Sequence, residues 1–178
     1  MALPSQSLHA VVRGARLSGI GQGPAERRGL LHTMLYAMRF TGRAEALGDA
    51  GNVLRATTSA PGSTLTSRVG DDGLTSTLST APGSAASFAS EVTFIGETSF
   101  VEMGTIGFGE GNILSFSTVG RGYLAPCADA GRKQGAVMWQ VEHGEGQFAG
   151  VSGLITSNFF VDDQFGVEDH QFGDLLLP

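Results

Sequence analysis

The chain has 178 residues, with 11 Lys and Arg against 17 Asp and Glu, a net charge of −6, and only 16% charged residues. That length suits one domain with a sizeable core, and the acidic balance gives no electrostatic footprint for nucleic acid or an anionic membrane. The single cysteine, Cys127, excludes a disulfide within the chain and reads as a small apolar filler beside Pro126. No apolar run approaches the roughly 20 residues of a membrane-spanning helix. The opening MALPSQSLHAVVRGARLSG lacks the apolar h-region of a signal peptide. The expectation is a cytoplasmic protein without a nucleic-acid or membrane partner.

Residues 1–29 differ from the rest. Leu8, Val11, Val12 and Ala15 fall at helical spacing, and Gly19, Gly21, Gly23 and Pro24 then break the pattern. This segment is read as an N-terminal extension, either a frayed terminus or a lid whose apolar face covers a pocket.

From residue 30 to 178 the pattern is β. The 27 glycines show no G-X-Y period and mix with Thr, Ser, Val and Phe, as in a β protein with many tight turns. LLHTMLYAMRFTGRAEAL is read as a long first strand interrupted by Gly42, with Met34, Tyr36, Met38 and Phe40 on one face and Arg39 and Arg43 on the other. After NVLRATTSA, the turns SAPGST and TAPGSA each put Pro before Gly, which suits type II turns with positive φ at Gly62 and Gly83. Between them a hairpin is expected around Asp71-Asp72-Gly73. SFASEVTFIG, TSFVEMGTIGFG, NILSFSTVGRGYL, GAVMWQVEH, FAGVSGLITSNFFV and GVEDHQFGDLLLP follow as successive strands with short connections. Eight to ten such strands predict a meander closing into an all-β antiparallel barrel of about eight strands, since closure removes exposed edges.

HGEGQFAGVSGLITSNFF, residues 143–160, raises the question of a phosphate loop. A dinucleotide fingerprint needs G-x-G-x-x-G opening a helix. Here Gly144, Gly146 and Gly150 have the wrong spacing, and a strand follows. No Lys-Ser/Thr pair makes a P-loop. A hairpin turn at 144–146, with Gly150 and Gly153 relieving crowding where a strand coils, fits better. His9, His32, His143 and His170 lack metal-ligand spacing, and Glu168, Asp169, His170 and Asp174 alternate faces of a strand, so no metal is expected. No G-x-S-x-G elbow is present.

The element Gly144, Gly146, Phe148, Gly150 and Gly153, entering a penultimate long strand, resembles the allene-oxide-cyclase and dirigent barrels. The upstream FVEMGTIGFGEGNILSFSTVG and QGAVMWQVEHGEG resemble that superfamily too, over residues 30–178. Within it the chain looks most like the bacterial spirotetramate and spirotetronate [4+2] cyclases of the pyrroindomycin spiro-cyclase type, which combine such a barrel with an N-terminal lid. The resemblance implies a cofactor-free cyclase that closes a linear polyene tetramate or tetronate in a barrel lumen, in polyketide antibiotic biosynthesis. It leaves open a non-catalytic barrel for an apolar small molecule, or a structural oligomer with a packed lumen.

Carboxylates among apolar neighbours, Glu91 and Glu102, either face solvent or face a lumen where burial raises their pKa. With Gln140 they are the expected catalytic residues, able to bind an enol or steer a proton. Met34, Tyr36, Met38, Phe116, Thr118, Met138, Trp139 and Asn158 are the expected substrate contacts, since Met and aromatics mould around a bulky apolar ligand. The expected partners are a polyketide substrate and a second copy in a homo-oligomer.

Overall fold

The computed structural model describes residues 31–48 and 51–178. The 1–29 extension, with its lid residues Leu8, Val11, Val12 and Ala15, lies outside the described residues.

The long apolar opening is a strand because its apolar residues repeat every second position. In β1 (His32–Ala46) Met34, Tyr36, Met38 and Phe40 turn inward, while Arg39 and Arg43 stay exposed. The chain continues through β2 (Val53–Ala60), β3 (Ser63–Gly70), β4 (Gly73–Thr80), β5 (Ala86–Phe94), β6 (Ser99–Gly107), β7 (Ile113–Thr118), β8 (Gly122–Pro126), β9 (Arg132–Gly144), a 3-10 turn (Gly146–Phe148), β10 (Ser152–Asp162) and β11 (Gly166–Leu177). No α-helix occurs among the described residues.

Eight strands close a ring in the order β1-β2-β5-β6-β7-β9-β10-β11, with β11 returning to β1 through antiparallel pairs from His32↔Leu177 to Arg43↔Gly166. β8 is an extra strand. It bridges β6 and β9 at the rim beyond the end of the short β7, pairing Phe100↔Gly122 and Tyr123↔Ala136. β3 and β4 form a separate hairpin outside the ring, turning at Asp71-Asp72. β2 and β5 pair with each other down to Ala60↔Ala86, where the hairpin leaves and rejoins the wall. Of the two Pro-Gly turns at its base, Gly83 has φ 138 whereas Gly62 is outside the left-handed region, running directly into β3 with its carbonyl accepting the Ala81 N–H at 2.6 Å.

One half of the barrel is solid. Phe40, Ile106, Leu114, Phe116, Ile155 and Leu175 are fully or almost fully buried there, and Phe148 of the 3-10 turn closes the end. The expected turn after Gly144 is thus present, with Gly146 at φ 63, and a Cβ there would meet the Gly111 carbonyl at 2.4 Å. Gly153 lets β10 coil against β11, since its Cβ would lie 2.3 Å from the Asp174 carbonyl.

Large rings fit inside so narrow a ring of strands because glycines lie beneath them. A Cβ at Gly122 would stand 2.3 Å from the Phe100 ring, one at Gly135 2.2 Å from the Phe159 ring, and one at Gly173 2.1 Å from the Tyr36 ring. Glycine weakens a strand unless something approaches it closely, and here an aromatic ring does so.

Candidate functional site

The other half of the barrel is hollow. Small side chains on β1 and β2, Ala44, Ala46 and Ala56, line this half together with the large rings of Phe88, Phe100, Trp139 and Phe159. The difference in side-chain volume leaves a cavity of about 430 Å³, within the range that holds small organic ligands. Its mouth is rimmed by Lys133, Asp162, Asp163 and Phe165, and its floor carries Thr58, Glu102, Trp139, Ser157 and Asp169.

Glu102 comes from β6, where it shares the inward face with Phe100 and Ile106. Ser90 on β5 donates to its Oε1 at 2.5 Å, and the Trp139 indole N–H on β9 donates to its Oε2 at 3.2 Å. The backbone around Glu102 is fixed separately. There the β6–β7 ladder has ended and the β8 pairing lies further along, and the Thr118 hydroxyl fills the gap, contacting the Glu102 N–H at 2.7 Å and its carbonyl at 2.9 Å.

Burial pushes the Glu102 pKa up to about 8, and the neighbouring Asp169 charge adds to the rise against the opposing hydrogen bonds from Ser90 and Trp139. At neutral pH Glu102 is a carboxylic acid: both oxygens can still accept, and its O–H is free to donate.

Asp169 lies on β11 with Gln171 on the inward face, while Glu168 and His170 point out. Ser157 Oγ donates to Asp169 Oδ1 at 2.6 Å, and Gln171 Nε2 donates to Oδ2 at 2.7 Å. The Tyr36 hydroxyl donates to Gln171 Oε1 at 3.3 Å, extending the chain toward the solid half. Burial raises the Asp169 pKa to about 6, with Ser157, Gln171 and the His170 charge holding it down. Burial, then the Asp169 charge, pushes the Tyr36 phenol further above its usual range. Two carboxyls in one cavity are thus driven apart, one neutral and one ionised near pH 7, the arrangement that assigns an acid and a base.

No family model, no curated protein sequence and no solved structure matches this chain. The site is therefore argued from its own geometry.

That geometry corrects four expected residues. Glu91, Gln140, Met138 and Asn158 lie on the outer face, each one position from an inward neighbour: Ser90, Trp139 and Ser157. Period-two alternation sends Glu91 out once Ser90 turns in, and Gln140 and Met138 out on either side of Trp139. Gln140 instead donates to Glu142 Oε1 at 2.8 Å on the surface. Glu102 and Trp139 line the cavity. Phe116 is buried beneath it, its ring 4.5 Å from that of Trp139. Tyr36 and Met38 face inward but line a separate groove of about 750 Å³ beside the β3–β4 hairpin, and Met34 packs against the core without lining the cavity.

Asp169, Ser157, Ser90, Gln171 and Thr58 escape the sequence reading. The one available signal was alternation in GVEDHQFGD, which puts Asp169 and Gln171 on one face and Glu168 and His170 on the other. Among the described residues no group of three or more His, Cys, Asp or Glu is placed to hold a metal ion.

Proposed function

We propose that the chain is a cofactor-free cyclase that binds a linear, largely apolar substrate with an enolisable carbonyl head and closes it by an intramolecular [4+2] cycloaddition. The observation that carries this reading is the pair of buried carboxyls, Glu102 and Asp169, in one largely apolar cavity whose charged residues Lys133, Asp162 and Asp163 stand at the mouth, with burial raising both pKa values and Glu102 the higher. Such a reaction forms two carbon–carbon σ-bonds from π-bonds already in the substrate and exchanges no electron or leaving group with solvent. It requires a folded chain and a polarised dienophile. Confinement against the aromatic wall supplies the first, and positioning of this kind lowers barriers by up to about 7–11 kcal/mol. Glu102 supplies the second by donating its proton in a hydrogen bond to the head carbonyl, in a site of low polarity where that bond is strong. Asp169 takes the role of the base that holds the head as its enolate or returns its proton. The resemblance of the glycine element to allene-oxide-cyclase-like barrels agrees with this reading.

The test is incubation with a linear polyene bearing a 3-acyl tetramic or tetronic acid, followed by chromatography of the products. Cyclised product forming faster than in buffer, and at least tenfold slower with E102Q, supports the reading. A stable complex without product marks the barrel as a carrier and overturns it.

A further inference from the structure

The β3–β4 hairpin has two unlike faces. Its register sets Leu65 opposite Leu78 and Val69 opposite Leu74, with Ser67 opposite Ser76 between them, so all six share one face. The other face carries Thr64, Thr66, Arg68, Thr75, Thr77 and Ser79. A hairpin washed by solvent on both sides has no use for such a division, and a lone two-stranded hairpin is marginally stable in water. Yet Val69 is 86% and Leu74 70% exposed. The hairpin meets its own barrel at its base, where the Ser63 hydroxyl donates to the Ala37 carbonyl at 2.8 Å and Leu65 stands across a groove from Leu35.

The barrel wall carries a matching surface. On the outside of β10, β11 and β1, Leu154, Phe172, Leu176 and Leu35 are exposed around Asp174, which is in register with Leu35 on one side and Leu154 on the other. Met138, in register with Thr156, extends this patch onto β9. Both surfaces are apolar toward their ends and polar at their centre. Ser67 and Ser76 hydrogen-bond each other at 2.8 Å, which uses one of their two hydroxyl protons and leaves the other to donate. Asp174 is an exposed acceptor.

We infer that two copies of this chain form a two-fold dimer by exchanging hairpins, each laying its Leu65, Val69, Leu74 and Leu78 face on the Asp174 patch of the partner copy. In its own chain the hairpin springs from β2, on the far side of β1 from β11 and β10, so the patch it fits is that of another molecule. The area agrees. Each contact brings together four apolar side chains of the hairpin and five of the patch, with about 60 Å² of each still to be buried. Two contacts then bury roughly 1,000 Å² of apolar surface, or about 1,600 Å² in all at the usual apolar share of an interface. A stable specific interface takes roughly 1,200–2,000 Å². Exchange satisfies both surfaces of both copies at once and closes the assembly at two.

The experiment measures the mass of the full chain in solution, by light scattering after size exclusion, across micromolar concentrations. The wild type is expected to be a dimer. V69K on the hairpin and L154E on the patch are each expected to raise the dimer dissociation constant at least tenfold, because each sets an unpaired charge in an apolar contact. T66K, on the polar face of the hairpin, is expected to stay dimeric. Mixing V69K with L154E is expected to restore a dimer, since the mixed pair keeps one contact unaltered and sets a lysine-bearing hairpin on a glutamate-bearing patch in the other. A monomeric wild type overturns the inference. A dimer broken by V69K alone would be hairpin on hairpin, and one broken by L154E alone would be patch on patch; either overturns it too. A mixture of the two variants that stays monomeric overturns the exchange, as does a T66K protein that dissociates like V69K.

Discussion

Trp139 on β9 holds Glu102 on β6 through an indole hydrogen bond of 3.2 Å, across two strands that β7 separates in the sheet. The indole is itself held by the Phe116 and Phe88 rings, at centroid distances of 4.5 and 5.6 Å. The acid therefore belongs to the packed half of the barrel, although it faces the hollow half.

Replacing Glu102 with Gln isolates its proton. In the folded chain Glu102 keeps that proton up to about pH 8, whereas an ordinary glutamate loses it near 4.5. Between those values the unfolded chain binds fewer protons than the native one, so the Glu102 contribution to stability declines as pH rises. Gln accepts from Trp139 and donates to Ser90 without titrating. The melting temperature of E102Q relative to wild type is expected to climb from pH 5 to pH 8, with E102Q the more stable above pH 8. Parallel calorimetric curves would show that the buried acid does not titrate there.

Turnover is expected to follow a bell between the apparent values of the pair, rising near pH 6 as Asp169 ionises and falling near pH 8 as Glu102 ionises. D169N is expected to lose the acidic limb and at least tenfold in kcat/KM. A D169N profile with the wild-type acidic limb would assign that limb to another group.

Phe165 sets the third expectation. It is the one non-glycine residue with positive φ among the described residues, at 61°. It stands at the cavity mouth with 46% of its surface exposed. Its turn is tied down by the Ala44 N–H to the Phe165 carbonyl at 2.9 Å and by Arg43 to the Gln164 carbonyl at 2.9 Å. A bulky residue there costs roughly 1–3 kcal/mol, and Asn tolerates the conformation better. F165N is expected to gain up to about 1 kcal/mol of stability while KM rises several-fold as apolar contact at the rim is lost. Denaturant titration and steady-state kinetics check the two halves.

The glycines under aromatic rings give the fourth. G135A should cost roughly 1–3 kcal/mol through overpacking, because its methyl would enter the Phe159 ring. G70A, with nothing within 4 Å of its Cβ, should stay within about 0.5 kcal/mol of wild type. Equal denaturation midpoints for the two variants would contradict the account of how the rings fit.

The β fold, the long first strand, the hairpin at Asp71-Asp72 and the structural use of Gly146 and Gly153 were legible because each is written locally, in period-two alternation and turn residues. The facing of Glu91 and Gln140 was not, because their strands have small or apolar residues on both sides. Ser90 and Ser157 face inward in step with Phe88 and Ile155, and what singles them out is a carboxylate on the neighbouring strand, a partnership set by strand register rather than by local sequence. Asp169 was hidden for the same reason. Its neighbours in sequence, Glu168 and His170, are as polar as it is, and only the partnership with Ser157 singles it out.

Ala60 and Ala86 are register partners, so the chain leaves the barrel and rejoins it at a single rung. The wall is complete without anything between them. The segment from 61 to 85 is thus an appendage on a finished ring, and its apolar residues Leu65, Val69, Leu74 and Leu78 are exposed to solvent. Evolution can lengthen, shorten or rewrite that loop without renegotiating a single strand pair of the barrel, and an engineer can graft a foreign segment at the same rung.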